Sequence, residues 1–250
     1  MNISGLEKLS KFQITQRAVE LLEKVCPNYL DRPTAIPIMK VVEYLRANYN
    51  ISFDFQAKFP LSAGSNLLGA YVFSKKLILI DSELASNEKR FNFTLAHEIG
   101  HWLLHRNVKI LGNRSDIITD DSTIIGNGPR KLHTDYDWME WQANYLASSL
   151  LMPPNLIKAS LIKIQAKNGI SKQGIIFLDI QYGNIKDYNN IIIGLSDLLA
   201  VSKQAIEFRL RDLGLIIDQR SPFHISKFID IYLKEVLRMP SNVIAFSNSM

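Results

Sequence analysis

Residues 97–101 read His97-Glu98-Ile99-Gly100-His101. Two histidines four apart share one helical face, one turn above the other, so both imidazoles reach a single metal ion while Glu98 projects toward a water beside it. With five histidines in the chain, composition alone yields an H-E-x-x-H string only about 0.4% of the time. Chance is therefore a poor account of the motif. Around it, Phe91, Leu95, Ile99 and Trp102 recur at helical spacing, predicting a helix from about Asn87 to His105 whose apolar stripe faces a core and orients the ligand face.

A catalytic metal site takes three protein donors and leaves the fourth position to water, so a third ligand is needed. The single cysteine, Cys26, has no partner for a thiolate site, which leaves His and carboxylate donors. His105 is nearest but follows His101 by four residues on a straight helix, and three side chains in line do not converge on one ion. The spacing predicts a partly buried histidine satisfied at the helix end. The metzincin pattern, with Gly three and His six residues beyond the second ligand, is absent: Leu104 and Asn107 stand there. Glu140 and Asn144 lie four apart on a second predicted helix, Asp137 to Leu151, so that one can bind the ion while the other hydrogen-bonds a ligand histidine. The competing reading makes Asp137 a helix cap with Glu140 closing its capping box. Spacing alone leaves the two open.

The 250 residues suffice for a real core without disulfides. Apolar residues at 47% and charged residues at 21% exclude a disordered, collagen-like or coiled-coil chain. No apolar run is long enough to span a bilayer, and the start lacks the apolar core of a signal peptide, so a cytoplasmic location and no membrane partner are expected. Two amphipathic helices open the chain, around Phe12 to Val25 and Ile38 to Leu45. Alternation at Ile51, Phe53 and Phe55 and the apolar runs Leu67 to Phe73 and Leu77 to Ile80 then predict a small antiparallel or mixed sheet. The Leu77–Ile80 strand is either a core strand or an edge to which an extended substrate adds. Arg106 to Tyr136 reads as a long excursion over a cleft. Helices are expected from about Asn155 to Asn168, ending at Gly169, and around Ser226 to Leu237. The net charge of +5 permits weak attraction to nucleic acid. Lys158, Lys163, Lys167 and Lys172 are the most one-sided cluster and read as a solvated face.

The run from Glu140 to Pro153, Glu-Trp-Gln-Ala-Asn-Tyr-Leu-Ala-Ser-Ser-Leu-Leu-Met-Pro, resembles the E-x-x-A-N-x-F-A-x-x-L-L-M-P signature of the ImmA/IrrE metallopeptidases. The H-E-x-G-H helix and the order of the elements resemble that family too, over most of residues 12 to 217. Leu146 replaces the usual aromatic, a packing change, and Gln142 stands where many relatives carry Glu, which removes one competitor for third ligand.

The resemblance implies an α+β, zincin-like endopeptidase with zinc, or another divalent metal, on His97, His101 and Glu140. Glu98 would be the catalytic carboxylate and Asn144 the partner of a ligand histidine. His133 and Tyr136 are candidate transition-state donors ahead of the second helix. The implied substrate is a protein, a helix-turn-helix repressor of the xenobiotic-response-element type. A further sensor domain, as in the radiation-response branch, is not expected.

Residues 195–217 read as helix, tight turn, helix, with Ser202 as a cap and Gly214 as a stop, and resemble the helix-turn-helix that many ImmA/IrrE proteins carry. There Lys203, Arg209 and Arg211 are balanced by Asp197, Glu207 and Asp212, so DNA binding is expected to be weak. The division expected is a peptidase domain over 1–190 and a helix-turn-helix-like segment with a C-terminal helix over 191–250. The alternative to an anti-repressor peptidase is a DNA-associated regulator or toxin–antitoxin component that keeps its metal for structure.

Overall fold

The computed structural model describes residues 2–59, 67–111, 117–121, 132 and 134–220. The C-terminal helix expected around Ser226 to Leu237 lies outside them. Helix α1 (Lys11–Val25) begins at a capping box in which Ser10 and Gln13 satisfy one another's backbone amides. Helix α2 (Ile38–Tyr49) buries Ile38, Val41, Val42 and Leu45 and closes at Asn50, whose φ of 52° suits its short polar side chain. Strand β1 (Asn2–Ser4) precedes both helices, and β2 (Ser52–Ala57), β3 (Leu67–Val72) and β4 (Leu77–Asp81) follow them. Helix α3 (Glu88–His105) follows, then β5 (Lys109–Leu111), β6 (Ile117–Asp121), α4 (Asp135–Leu151) and α5 (Pro154–Lys167).

The principal sheet has the order β2-β4-β3-β6. Strand β2 runs parallel to β4, and β3 runs antiparallel to both β4 and β6, so the sheet is mixed. Strand β4 is paired along both sides and has no edge to offer, which sets aside the reading of Leu77–Ile80 as a substrate-binding edge. The region read as an excursion between α3 and α4 contains two strands, β5 against β1 and β6 against β3. At three and five residues these strands owe their existence to distant partners, and no local periodicity announces them.

Helix α3 packs its Leu95, Ile99 and Trp102 stripe into the core shared with Tyr71, Ile78 and Ile80 of the sheet. Helix α4 crosses α3 at Gly100, where a Cβ would sit 3.0 Å from the Ala143 carbonyl oxygen and 3.1 Å from its Cα. Backbone has little room to retreat. Gly100→Val should force the helices apart and cost about 1–3 kcal/mol of stability, as overpacking does. A urea midpoint equal to wild type would mean that the contact is slack.

Beyond α5 lie β7 (Ile176–Leu178), α6 (Tyr182–Leu199), α7 (Lys203–Asp212) and β8 (Ile216–Asp218). Strands β7 and β8 pair in parallel. Helices α6 and α7 meet through a turn in which Ala200 adopts φ 51° and Ser202 caps α7 by accepting from the Ala205 amide at 3.1 Å. Residue 191 lies inside α6, whose Ile191, Leu195 and Leu199 join the same core as α3. Arg209 of α7 is buried and donates to the Met152 carbonyl (3.0 Å) and to the Tyr145 hydroxyl (3.3 Å) at the far end of α4. Lys158, Lys163, Lys167 and Lys172 are exposed, as a solvated face requires. No helix among the described residues is long and apolar enough to cross a membrane.

Candidate metal centre

Helix α3 and helix α4 share the work of building the site. Successive turns of α3 present His97 and His101, whose Nε2 atoms are 2.9 Å apart. Glu140 faces them from α4 with one oxygen 3.4 Å from each Nε2. The close crossing at Gly100 and Ala143 allows this approach, since Glu140 stands one turn before the contact point. Each of the three residues offers one atom within 4.8 Å of the others, and all three side chains are buried. Asn144, one turn beyond Glu140, meets His97 Nδ1 through its Oδ1 at 2.9 Å. That bond places the His97 proton on Nδ1 and turns the Nε2 lone pair inward.

The electrostatics suit a cation. Burial works to raise the Glu140 carboxyl, but the attraction of His101 and His97 outweighs it and holds the group well below the usual carboxylate range. Glu140 is thus a buried carboxylate whose oxygens no other group among the described residues satisfies. The attraction from His97 and His101 belongs to protonated imidazoles; when both are neutral, their inward lone pairs and the buried carboxylate need another positive charge between them. Nitrogen and oxygen donors of this kind match a divalent transition metal. The residues present therefore fit the ion.

Glu98 follows His97 on α3, fully buried, with its carboxylate against β3. Gly69 makes the space: a Cβ there would stand 2.7 Å from Glu98 Oε1 and 2.7 Å from Thr94 Cγ2. A strand glycine often marks such a close approach, but the sequence alone did not connect this one to the site.

The capping-box alternative for Glu140 is corrected by the helix start. Helix α4 begins at Asp135, and its box pairs Thr134 with Asp137, one turn before Glu140. His105 also departs from expectation. It is fully buried, not partly, and its Nδ1 lies 3.1 Å from His101 Nδ1. Burial, reinforced by repulsion from His101, pushes its pKa well below the usual imidazole range and keeps it neutral at pH 7. Its Nε2 has no hydrogen-bond partner among the described residues, so the helix-end satisfaction expected of it is incomplete. Tyr136 sits half-buried in the first turn of α4, four residues before Glu140 on the same face. His133 lies outside the described residues. Gln142 turns to the segment just before α1, its Oε1 accepting from the Leu9 amide at 3.4 Å.

A mixed sheet laid on an H-E-x-x-H helix, with a carboxylate brought in from the next long helix, is a zincin-like arrangement. Residues 53–167 match the family model Peptidase_M78, described as the IrrE N-terminal-like domain, so this part of the chain is similar to that family of metallopeptidases. The matched segment contains the whole donor group and ends at the last residue of α5. No curated protein matched the chain.

Proposed function

We propose that the protein is a zinc-dependent endopeptidase that cuts a helix-turn-helix repressor, with His97, His101 and Glu140 as ligands and Glu98 as general base. The buried His97–His101–Glu140 group carries this reading. When bound, zinc supplies Lewis-acid activation of water and of a peptide carbonyl. Glu98 takes the proton from the attacking water and returns it to the leaving amine nitrogen. Packing against Gly69 keeps its carboxylate between α3 and β3 while it does so. Asn144 holds His97 in the tautomer that presents Nε2. Tyr136, and His133 in the segment before it, are proposed donors to the developing oxyanion.

Against the reading as a DNA-associated regulator with a structural metal, the donor group numbers three among the described residues, and structural zinc sites close four positions. The arginines of α7 and Arg220 beyond it are also engaged in ion pairs within the protein. Arg211 pairs with Glu207 and Asp218 at 2.9 Å each, Arg220 with Asp218 at 2.7 Å, and Arg209 is buried against Asp212. Binding to phosphates would compete with these pairs. A role in packing or in docking the protein substrate suits the segment better.

Co-expression with a helix-turn-helix repressor, sought first in the adjacent reading frame, should shorten that repressor on a gel, while purified protein should produce no sequence-selective shift of its own promoter. An intact repressor together with a specific, nanomolar promoter complex at physiological salt would favour the regulator.

A further inference from the structure

The two ligand histidines are supported differently. His97 leans on Asn144 of the neighbouring helix. His101 leans on its own helix, where His105 Nδ1 stands 3.1 Å from His101 Nδ1. For His101 to offer a lone pair from Nε2, its proton must sit on Nδ1. His105 can accept that proton only through a bare Nδ1, which places its own proton on Nε2. That nitrogen is buried and has no partner among the described residues. A buried N–H left unsatisfied is destabilising, and a leucine of similar size would fill the helix end without it. A polar ring retained here has a task other than packing.

We propose that His105 is a positioning residue: it accepts the His101 Nδ1 proton and thereby holds His101 in the tautomer and rotation that aim Nε2 at a divalent cation. The inference rests on His97, His101 and Glu140 being the metal ligands. It assigns His105 no direct bond to the ion, in keeping with its place one full turn further along α3.

The test uses the full chain stripped of metal, in wild-type, His105→Leu and His105→Asn forms. Zinc affinity is measured by competition with a chelator, and the thermal midpoint is measured without metal. His105→Leu should bind zinc about 10- to 100-fold more weakly, the usual loss for a residue that orients a ligand, with a metal-free Tm no lower than wild type. His105→Asn keeps an acceptor oxygen close to the place of Nδ1 and should recover most of the affinity. Nitrogen-15 NMR of the zinc-loaded protein should show the His101 proton on Nδ1 in wild type and in His105→Asn. Zinc binding by His105→Leu equal to wild type overturns the proposal. So does equal weakening in both variants, or weakening that follows a fall in metal-free Tm, since either marks packing. If wild type itself binds no zinc, the ligand assignment fails first and this proposal falls with it.

Discussion

Glu98→Gln should leave a folded, metal-loaded protein that no longer cuts. The substitution keeps the length, planarity and one carbonyl oxygen of the side chain, and removes the oxygen that takes a proton. Gly69 and Thr94 pack against that side chain and would meet a glutamine of nearly the same shape. No metal donor changes, because the donor group is His97, His101 and Glu140. Loss of a general base costs about 10² to 10⁴ in rate, and a base buried beside the metal site should lie at the upper end, where cleavage drops below detection on a gel. Elemental analysis should find one divalent ion per chain in both forms, and the circular dichroism spectra should superpose. Cleavage at the wild-type rate by Glu98→Gln would remove Glu98 from the mechanism.

The parts of this site that were legible in the sequence are those written in helical periodicity. His97 and His101 sit on a helix whose apolar stripe, Leu95, Ile99 and Trp102, is buried as its spacing requires. Glu140 and Asn144 were legible as a pair for the same reason. What periodicity does not carry is the start of a helix set by a side chain outside the apolar repeat. Thr134 and Asp137 form the capping box of α4, which starts at Asp135, two residues before the expected start, and that displacement takes Glu140 out of the box. Nor does periodicity say what covers a face: His105, at a helix end in sequence, is completely enclosed in the fold. Strands β5 and β6 and the β7–β8 pair are short segments joined to partners far along the chain, and nothing local marks their register. The tie of α7 to α4 through Arg209, Tyr145 and Asp212 spans more than sixty positions, and its members look like ordinary solvated or aromatic residues when read in order.

Glu140→Ala should strip the protein of its metal while leaving its helices in place. The carboxylate is the one negatively charged donor of the group, facing both imidazoles at 3.4 Å. Without it the site offers two neutral nitrogens, which bind a divalent cation without charge neutralisation and with one bond fewer. The loss should exceed the roughly 100-fold that marks the upper end for a residue that merely orients a ligand, so dialysed protein should retain almost no ion by elemental analysis. Helix α4 should persist, since its cap is Thr134 with Asp137 and its packing on α3 runs through Ala143 and Leu146. Glu140→Gln provides the intermediate case: it fills the same space and keeps one coordinating oxygen, but carries no charge, and should hold metal more weakly than wild type and more tightly than Glu140→Ala. His97→Ala and His101→Ala should fall beside Glu140→Ala. Full occupancy in Glu140→Ala would remove Glu140 from the ligand set, and the helix start already denies it the role of a cap. A buried carboxylate facing two imidazoles would then have neither task, and the centre would need a different third donor.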